Sequence, residues 1–77
     1  MDMQNLIHMA NRIGDFFAAM PEPDEAQQGI AAHLKRFWDP RMRSQLLAYV
    51  DAENGKGLTP IVLSAIRAHR GEILPRQ

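Results

Sequence analysis

Proline placement is the sequence feature that most constrains this chain, because four of its five prolines divide it into short segments. Pro21 and Pro23 lie close together, and Asp39-Pro40 and Thr59-Pro60 each join a helix-capping residue to a proline. Proline is tolerated in the first turn of a helix but breaks a helix interior, and it disfavours helical backbone at the preceding residue. The prolines therefore predict the boundaries of several short helices.

Four helices are predicted between these boundaries. They run from about Asp2 to Ala19, from Pro23 or Asp24 to about Phe37, from Pro40 to about Asp51, and from Pro60 to about His69. Residues 52–58 form a loop, and the tail after Gly71 is expected to fray. A chain of 77 residues has room for one modest core. The predicted fold is all-α, a small single-domain bundle of about four short helices over residues 1–77.

The first helix carries an unusually wide apolar arc. Its inner face is predicted to consist of Leu6, Met9, Ala10, Ile13, Phe16, Phe17 and Met20. A second apolar flank consists of Met3, Ile7, Gly14 and Ala18. So wide an arc contacts two neighbouring helices, or one neighbour and another protein, and both alternatives are open for the second flank. Gly14 costs about 1 kcal/mol relative to alanine inside a helix, which close approach of a second backbone would explain.

The other three helices are amphipathic as well. Their inward-facing residues are predicted to be Ala26, Ile30, Ala31, Leu34, Phe37 and Trp38 on the second helix, Met42, Leu46, Leu47, Tyr49 and Val50 on the third, and Val62, Leu63 and Ile66 on the fourth. The fourth helix is too short to be stable in isolation, so it has to pack against its neighbours.

No residue pattern in the chain is typical of an active site. The absence of cysteine excludes disulfides, thiolate nucleophiles, iron-sulfur ligation and cysteine-type zinc sites. His8, His33 and His69 lie on different predicted helices without a second ligand at metal-binding spacing. His33 is expected to be a partly buried, hydrogen-bonded imidazole, and the other two to lie at the surface. Catalytic, cofactor-binding and metal-binding residues are therefore not expected in this chain.

Charge and hydropathy limit the partners that the chain is expected to have. Nine Lys and Arg balance nine Asp and Glu, whereas most nucleic-acid-binding modules carry a basic excess. The longest apolar run, Phe16 to Met20, is far shorter than the roughly 20 residues that cross a bilayer. The amino terminus does not resemble a secretion signal, so a cytoplasmic location is expected, with neither nucleic acid nor membrane as a partner.

The segment Phe37–Arg43 concentrates two aromatic residues, a helix cap and two guanidinium groups at one helix junction. Arg41 and Arg43 oppose the dipole of the third helix, at a cost of about 0.3 to 1 kcal/mol each. Arg43 could stack on Trp38, and either Asp39 or Asp15 could pair with it inside the chain. Alternatively, the junction docks onto carboxylates or carbonyls of a partner, since Trp and Arg are enriched in interface hot spots. A basic cluster of Lys35, Arg36, Arg41 and Arg43 fits either interpretation.

Four segments carry a resemblance to a known family: Met9–Phe17, Gly29–Leu34, Phe37–Arg43 and Gly57–Pro60. The chain resembles the delta subunit of the soluble, NAD-dependent, molybdenum-containing formate dehydrogenases, from Met3 to about Ile66. The resemblance implies a helical, cofactor-free subunit of a complex that oxidises formate to carbon dioxide and reduces NAD. It also implies that partner subunits hold the molybdenum pterin, the iron-sulfur clusters, FMN and NAD. Residues 67–77 lie outside the resemblance, and their role is open.

The leading interpretation is a non-catalytic accessory subunit that stabilises or assembles the molybdenum-containing catalytic subunit. Its expected partners are the catalytic and diaphorase-type subunits of formate dehydrogenase. The alternatives are a transient chaperone for molybdenum cofactor insertion and, suggested by the short turn between helices two and three, a small helical DNA-binding regulator. The candidate interface residues are Ile7, Gly14, Phe17, Ala18, Phe37, Trp38, Arg41 and Arg43.

Overall fold

The computed structural model describes residues 2–75 and confirms the all-α fold. Its five helices are α1 (Met3–Phe17), α2 (Pro23–Phe37), α3 (Pro40–Glu53), α4 (Pro60–Ala68) and α5 (Arg70–Ile73). Residues 2–75 contain no strand, and none of their helices is both long and apolar enough to span a membrane. The first four helices are the predicted ones, whereas α5 is an addition.

The helix starts follow the proline pattern, with one difference in capping. The Asp39 Oδ1 accepts a hydrogen bond of 2.9 Å from the Met42 backbone N–H, which confirms the predicted cap of α3. Thr59 occupies the corresponding position of α4, but its side chain makes no capping hydrogen bond. The Thr59 backbone N–H instead donates to the Asn11 Oδ1 at 2.9 Å. The capping role predicted for Thr59 is therefore wrong, because a side chain of α1 holds this turn.

Two helix ends differ from the prediction by two residues. Helix α1 ends at Phe17 rather than Ala19, because the chain turns tightly and the Met20 N–H donates to the Phe17 carbonyl at 3.0 Å. Helix α3 continues to Glu53 rather than Asp51. It ends where Asn54 adopts left-handed backbone with φ of 56°, a conformation that asparagine tolerates better than most residues.

The core is a single cluster to which all five helices contribute. Helix α2 is central, since it packs against α1, α4 and α5, while α1 also contacts α3 and α4. Helix α4 depends on this packing as predicted, with Val62 and Ile66 fully buried. The buried cluster consists of Leu6, Ala10, Ile30, Ala31, Leu34, Trp38, Leu46, Leu47, Val50, Val62, Ala65, Ile66 and Ile73.

The buried face of α1 is rotated relative to the predicted inner face. Ile7 and Gly14, which were assigned to the second flank, are buried, whereas Phe16 and Met20 are 75% and 38% exposed. An added Cβ on Gly14 would lie 2.4 Å from the Val62 Cγ2, so α4 covers this part of the flank. The prediction was wrong for Phe16 because α1 is held between α2 and α4, which turns the Phe16 edge toward solvent, and wrong for Met20 because it lies in the turn after α1 ends.

The tail after Gly71 was predicted to fray, and in the structure its first two residues, Glu72 and Ile73, lie in α5. Helix α5 packs against α2 and α4, and the Ile73 side chain is completely buried. The Ile73 carbonyl accepts a 3.2 Å hydrogen bond from the Arg43 guanidinium. Burial of one large apolar side chain therefore orders a segment that has no extended apolar stripe of its own.

Candidate protein-docking surface

Large apolar side chains remain exposed where the carboxyl-terminal part of α1 meets α2. Phe16 is 75% and Phe37 is 67% exposed, and Phe17 and His33 lie half-buried between them. Leu74, which is 51% exposed, lies apart from them, beyond α5. We define the aromatic face as these four rings and the residues that line the surface beside them: Arg12, Ile13, Phe16, Phe17, Gly29, Ala32, His33, Arg36 and Phe37.

The rings of the aromatic face contact one another in a continuous row. The Phe16 and Phe17 ring centroids are 5.1 Å apart at an interplanar angle of 89°. The Phe17 ring lies 6.3 Å from the His33 ring, which lies 4.7 Å from the Phe37 ring. These are the distances of favourable edge-to-face and tilted aromatic pairs. The row links α1 to α2 and leaves two shallow depressions, of about 320 and 300 Å³, on either side of Phe17.

Gly29 shapes the middle of this face. A Cβ built on Gly29 would lie 2.5 Å from two ring carbons of Phe17, so the Phe17 ring rests directly on the backbone of α2. Any larger residue would push the ring outward. The flat depression beside Phe17 therefore depends on the one residue type that has no side chain.

Two guanidinium groups border the aromatic face. Arg12 lines the depression on the α1 side and Arg36 the one on the α2 side. The Arg36 guanidinium carbon lies 5.8 Å from the centroid of the Phe37 ring, within the range of a cation–π contact. Among the described residues that line the two depressions, none is acidic. The fully charged side chains that line the two depressions are therefore both positive, although the whole chain is formally neutral.

The structure divides the predicted interface residues into an internal and an accessible set. Ile7, Gly14 and Trp38 lie in the core, and Arg43 is half-buried against α5. The first three are almost inaccessible to solvent in the folded chain. The accessible set consists of Phe17, Ala18, Phe37 and Arg41.

The junction between α2 and α3 makes an internal contact with a residue that was not among the predicted partners. The Arg43 guanidinium donates to the Ile73 carbonyl at the end of α5, whereas Asp39 and Asp15 had been considered as its partners. A carbonyl near the end of a helix attracts a cation. Phe37 was assigned to the inner face of α2, which is wrong because Trp38 takes the core position at this end of the helix.

Arg12, Phe16 and His33 were not predicted as interface residues, and Arg36 was named only within the basic cluster at the α2–α3 junction. The signal that could have found Phe16 is the Phe16-Phe17 pair, since adjacent residues in a helix point about 100° apart and both rarely face one core. His33 was predicted to be hydrogen-bonded, but its ring instead packs between the Phe17 and Phe37 rings. No pattern in the sequence brings Arg12 and Arg36 to the same face.

The ion pairs of the described residues lie near α5, away from the aromatic face. The Arg70 guanidinium pairs with both carboxylate oxygens of Asp51, at 2.9 and 2.7 Å, and His69 Nδ1 lies 2.7 Å from a Glu72 oxygen. These contacts join α5 to α3 and to its own first turn. Among residues 2–75, no group of three or more His, Asp or Glu residues could hold a metal ion.

The fold and this surface define the class of the protein. It is a small all-helical protein that exposes aromatic rings bordered by arginines, and such residues are enriched in protein interfaces. Comparison with protein families then shows the particular family: the model of the NADH-dependent formate dehydrogenase delta subunit FdsD matches residues 5–66. The chain belongs to this family, which confirms the resemblance found in the sequence. Comparisons with curated proteins and with solved structures found no match.

Proposed function

We propose that this chain is a non-catalytic subunit of an NAD-dependent formate dehydrogenase, and that it stabilises or assembles the molybdenum-containing catalytic subunit. The observation that carries the proposal is the family match, which extends over residues 5–66 of the 77-residue chain. A delta subunit assembles with other subunits, so it needs a surface for them. The uncovered Phe16 and Phe37 rings supply apolar area of the kind that such contacts bury.

The proposal assigns the redox chemistry to partner subunits. An iron-sulfur cluster does not fit this chain, because its 77 residues include no cysteine to ligate one. The proposal also assigns the molybdenum pterin, FMN and NAD to the catalytic and diaphorase-type subunits, which are the proposed partners. A cytoplasmic location goes with these partners and is part of the same proposal.

Deletion of the gene, followed by purification of the remaining subunits, tests the proposal. We expect formate-dependent NAD reduction to fall, together with the molybdenum and iron content of the catalytic subunit. Reintroduction of the chain on a plasmid should restore both quantities. Unchanged activity and unchanged cofactor content would contradict the stabilising and assembling role.

The stoichiometry of the purified enzyme separates a permanent subunit from a transient one. A subunit co-purifies in fixed ratio with the active complex through an affinity tag on the large subunit. A chaperone for molybdenum cofactor insertion would be found on cofactor-free catalytic subunit and would be absent from the mature complex. That second pattern would replace the proposed role of a resident subunit with a transient one.

A further inference from the structure

The aromatic face is an apolar surface that the chain leaves uncovered. Phe16 and Phe37 are 75% and 67% exposed, although the helices that carry them also contribute to the core. A protein of this size seldom keeps neighbouring aromatic rings in water without a use for them, and polar-bordered apolar patches are typical interaction sites. The face is open and shallow, which suits a protein segment better than an enclosed small molecule.

The local architecture holds this face in one shape. Gly29 is a poor helix former in the middle of α2, and it is the residue that lets the Phe17 ring lie against the helix backbone. The Phe17 ring then separates the two depressions, and the His33 ring contacts both Phe17 and Phe37. A preformed surface of this kind binds with little ordering of its own side chains, which favours affinity.

The positive charges at the border of the aromatic face favour one kind of binding partner over another. In a two-fold contact between copies of this chain, the same patch meets itself, so Arg12 and Arg36 of one copy would approach those of the other. Such like-charge contacts disfavour self-association. Asp15 and Glu25 lie on the same two helices but do not line either depression. Guanidinium groups on both sides of an apolar row complement a segment that carries apolar residues together with carboxylates.

We infer that the aromatic face is the docking site for an acidic amphipathic segment of another formate dehydrogenase subunit. Apolar side chains of that segment occupy the two depressions beside Phe17, and its carboxylates pair with Arg12 and Arg36. The inference rests on the proposed function, since it takes the partner from the formate dehydrogenase complex. It replaces the α2–α3 junction as the principal contact surface.

The test measures how much of this chain co-purifies with formate dehydrogenase tagged on its large subunit, and how fast it then dissociates. Phe37→Ser and Phe16→Ser are expected to raise the dissociation rate about 10- to 30-fold, as for hot-spot residues. The double variant Arg12→Glu/Arg36→Glu is expected to raise it at least about tenfold at low salt. High salt should speed dissociation of the unmodified chain, because it screens the attraction, and should slow dissociation of the double variant, because it screens the repulsion between glutamates and partner carboxylates.

Two control variants match these changes elsewhere on the surface. Leu74→Ser removes an apolar side chain of comparable exposure away from the face, and Arg41→Glu reverses an exposed charge at the α2–α3 junction. Both should co-purify and dissociate like the unmodified chain. Circular dichroism melting of each purified variant shows whether it is folded, and the charge variants test the same surface without removing an aromatic ring.

The outcomes separate the inference from the proposed function. If the unmodified chain is absent from the tagged complex, the resident-subunit proposal fails. If the unmodified chain is present, and the folded Phe37→Ser and Arg12→Glu/Arg36→Glu variants dissociate as slowly as the unmodified chain, the aromatic face is not the docking site. Loss of binding by Arg41→Glu alone would place the contact at the junction instead. If the dissociation rate of the unmodified chain does not depend on salt, the inference that the partner segment is acidic is wrong.

Discussion

Replacement of Gly14 by alanine tests the close packing of α1 against α4. The Cβ of Gly14→Ala would lie 2.4 Å from the Val62 Cγ2, whereas carbon atoms pack at about 3.5–4.0 Å. Val62 is fully buried and its branched side chain is stiff, so α1 and α4 must separate. Overpacking of this kind costs up to about 3 kcal/mol, and the helix gains about 1 kcal/mol from alanine. We expect a net loss of about 2 kcal/mol in the free energy of unfolding.

Urea unfolding, followed by circular dichroism and by the fluorescence of the buried Trp38, measures this loss. In a small domain the free energy of unfolding falls by about 1 kcal/mol for each molar increase in urea, so the urea concentration at the unfolding midpoint should fall by about 2 M. The matched control is Gly71→Ala, because a Cβ on Gly71 meets no atom within 4 Å. That variant should be more stable than the unmodified chain, by roughly 0.5–1 kcal/mol.

A double-mutant cycle with Val62→Ala assigns the loss to one contact. Val62→Ala alone removes two methyl groups from the core and should cost about 2–3 kcal/mol. In the Val62→Ala background, the Cβ of Gly14→Ala no longer approaches a valine Cγ2, so Gly14→Ala should stabilise the chain by about 1 kcal/mol. The coupling between the two changes is then about 3 kcal/mol. Additive effects, or a stabilising Gly14→Ala in the unmodified background, would refute this account of the α1–α4 contact.

Four further substitutions test the ends of the helices and the turn before α4. Ile73→Ala should lower the free energy of unfolding by about 2–5 kcal/mol in a urea titration, because Ile73 is fully buried; a change near zero would mean that the tail is frayed after all. Asp39→Ala should lower the free energy of unfolding by about 1 kcal/mol, because it removes the cap of α3. Thr59→Ala should lower it by less than about 0.5 kcal/mol, because the Thr59 hydroxyl makes no capping hydrogen bond. Equal losses in the two variants would contradict the capping assignment. Asn11→Ala should lower the free energy of unfolding by about 1–3 kcal/mol and speed hydrogen exchange at the Thr59 amide. The reason is that the Asn11 side chain forms 2.9 Å hydrogen bonds with that amide and with the Gly57 carbonyl. Unchanged exchange would show that the loop does not depend on Asn11.

The sequence predicted the helices well because their boundaries depend on local chemistry. Pro23, Pro40 and Pro60 each begin a helix, since a proline ring fits the first turn and not the interior. The ends of α1 and α3 were less predictable, because a helix can stop at any of several residues within a turn. Helix α5 escaped prediction because its order comes from the burial of Ile73 and from Arg43, and both are contacts between distant parts of the chain.

The candidate surface was predicted less well than the fold. Apolar periodicity identified Phe16 and Ile7 as members of one wide arc but did not indicate which edge of the arc the other helices cover. The choice depended on how closely α4 could approach Gly14. Phe17 and Phe37 were among the predicted residues and lie on the aromatic face. Arg12 and Arg36 are 24 positions apart in the sequence and come to the same face only in the folded chain.

Family membership, the all-α class and the starts of four helices were determined by the sequence itself, because each depends on residues that act locally or that lie in contiguous segments such as Phe37–Arg43. The tertiary structure alone decided that Ile7, Gly14 and Trp38 are internal and that Phe16 and Phe37 are exposed. The physical reason is that the hydrophobic effect is non-directional and scales with the apolar area buried, so the sequence pattern does not specify which neighbour buries a side chain. Which neighbour it meets depends on the packing of all the helices together.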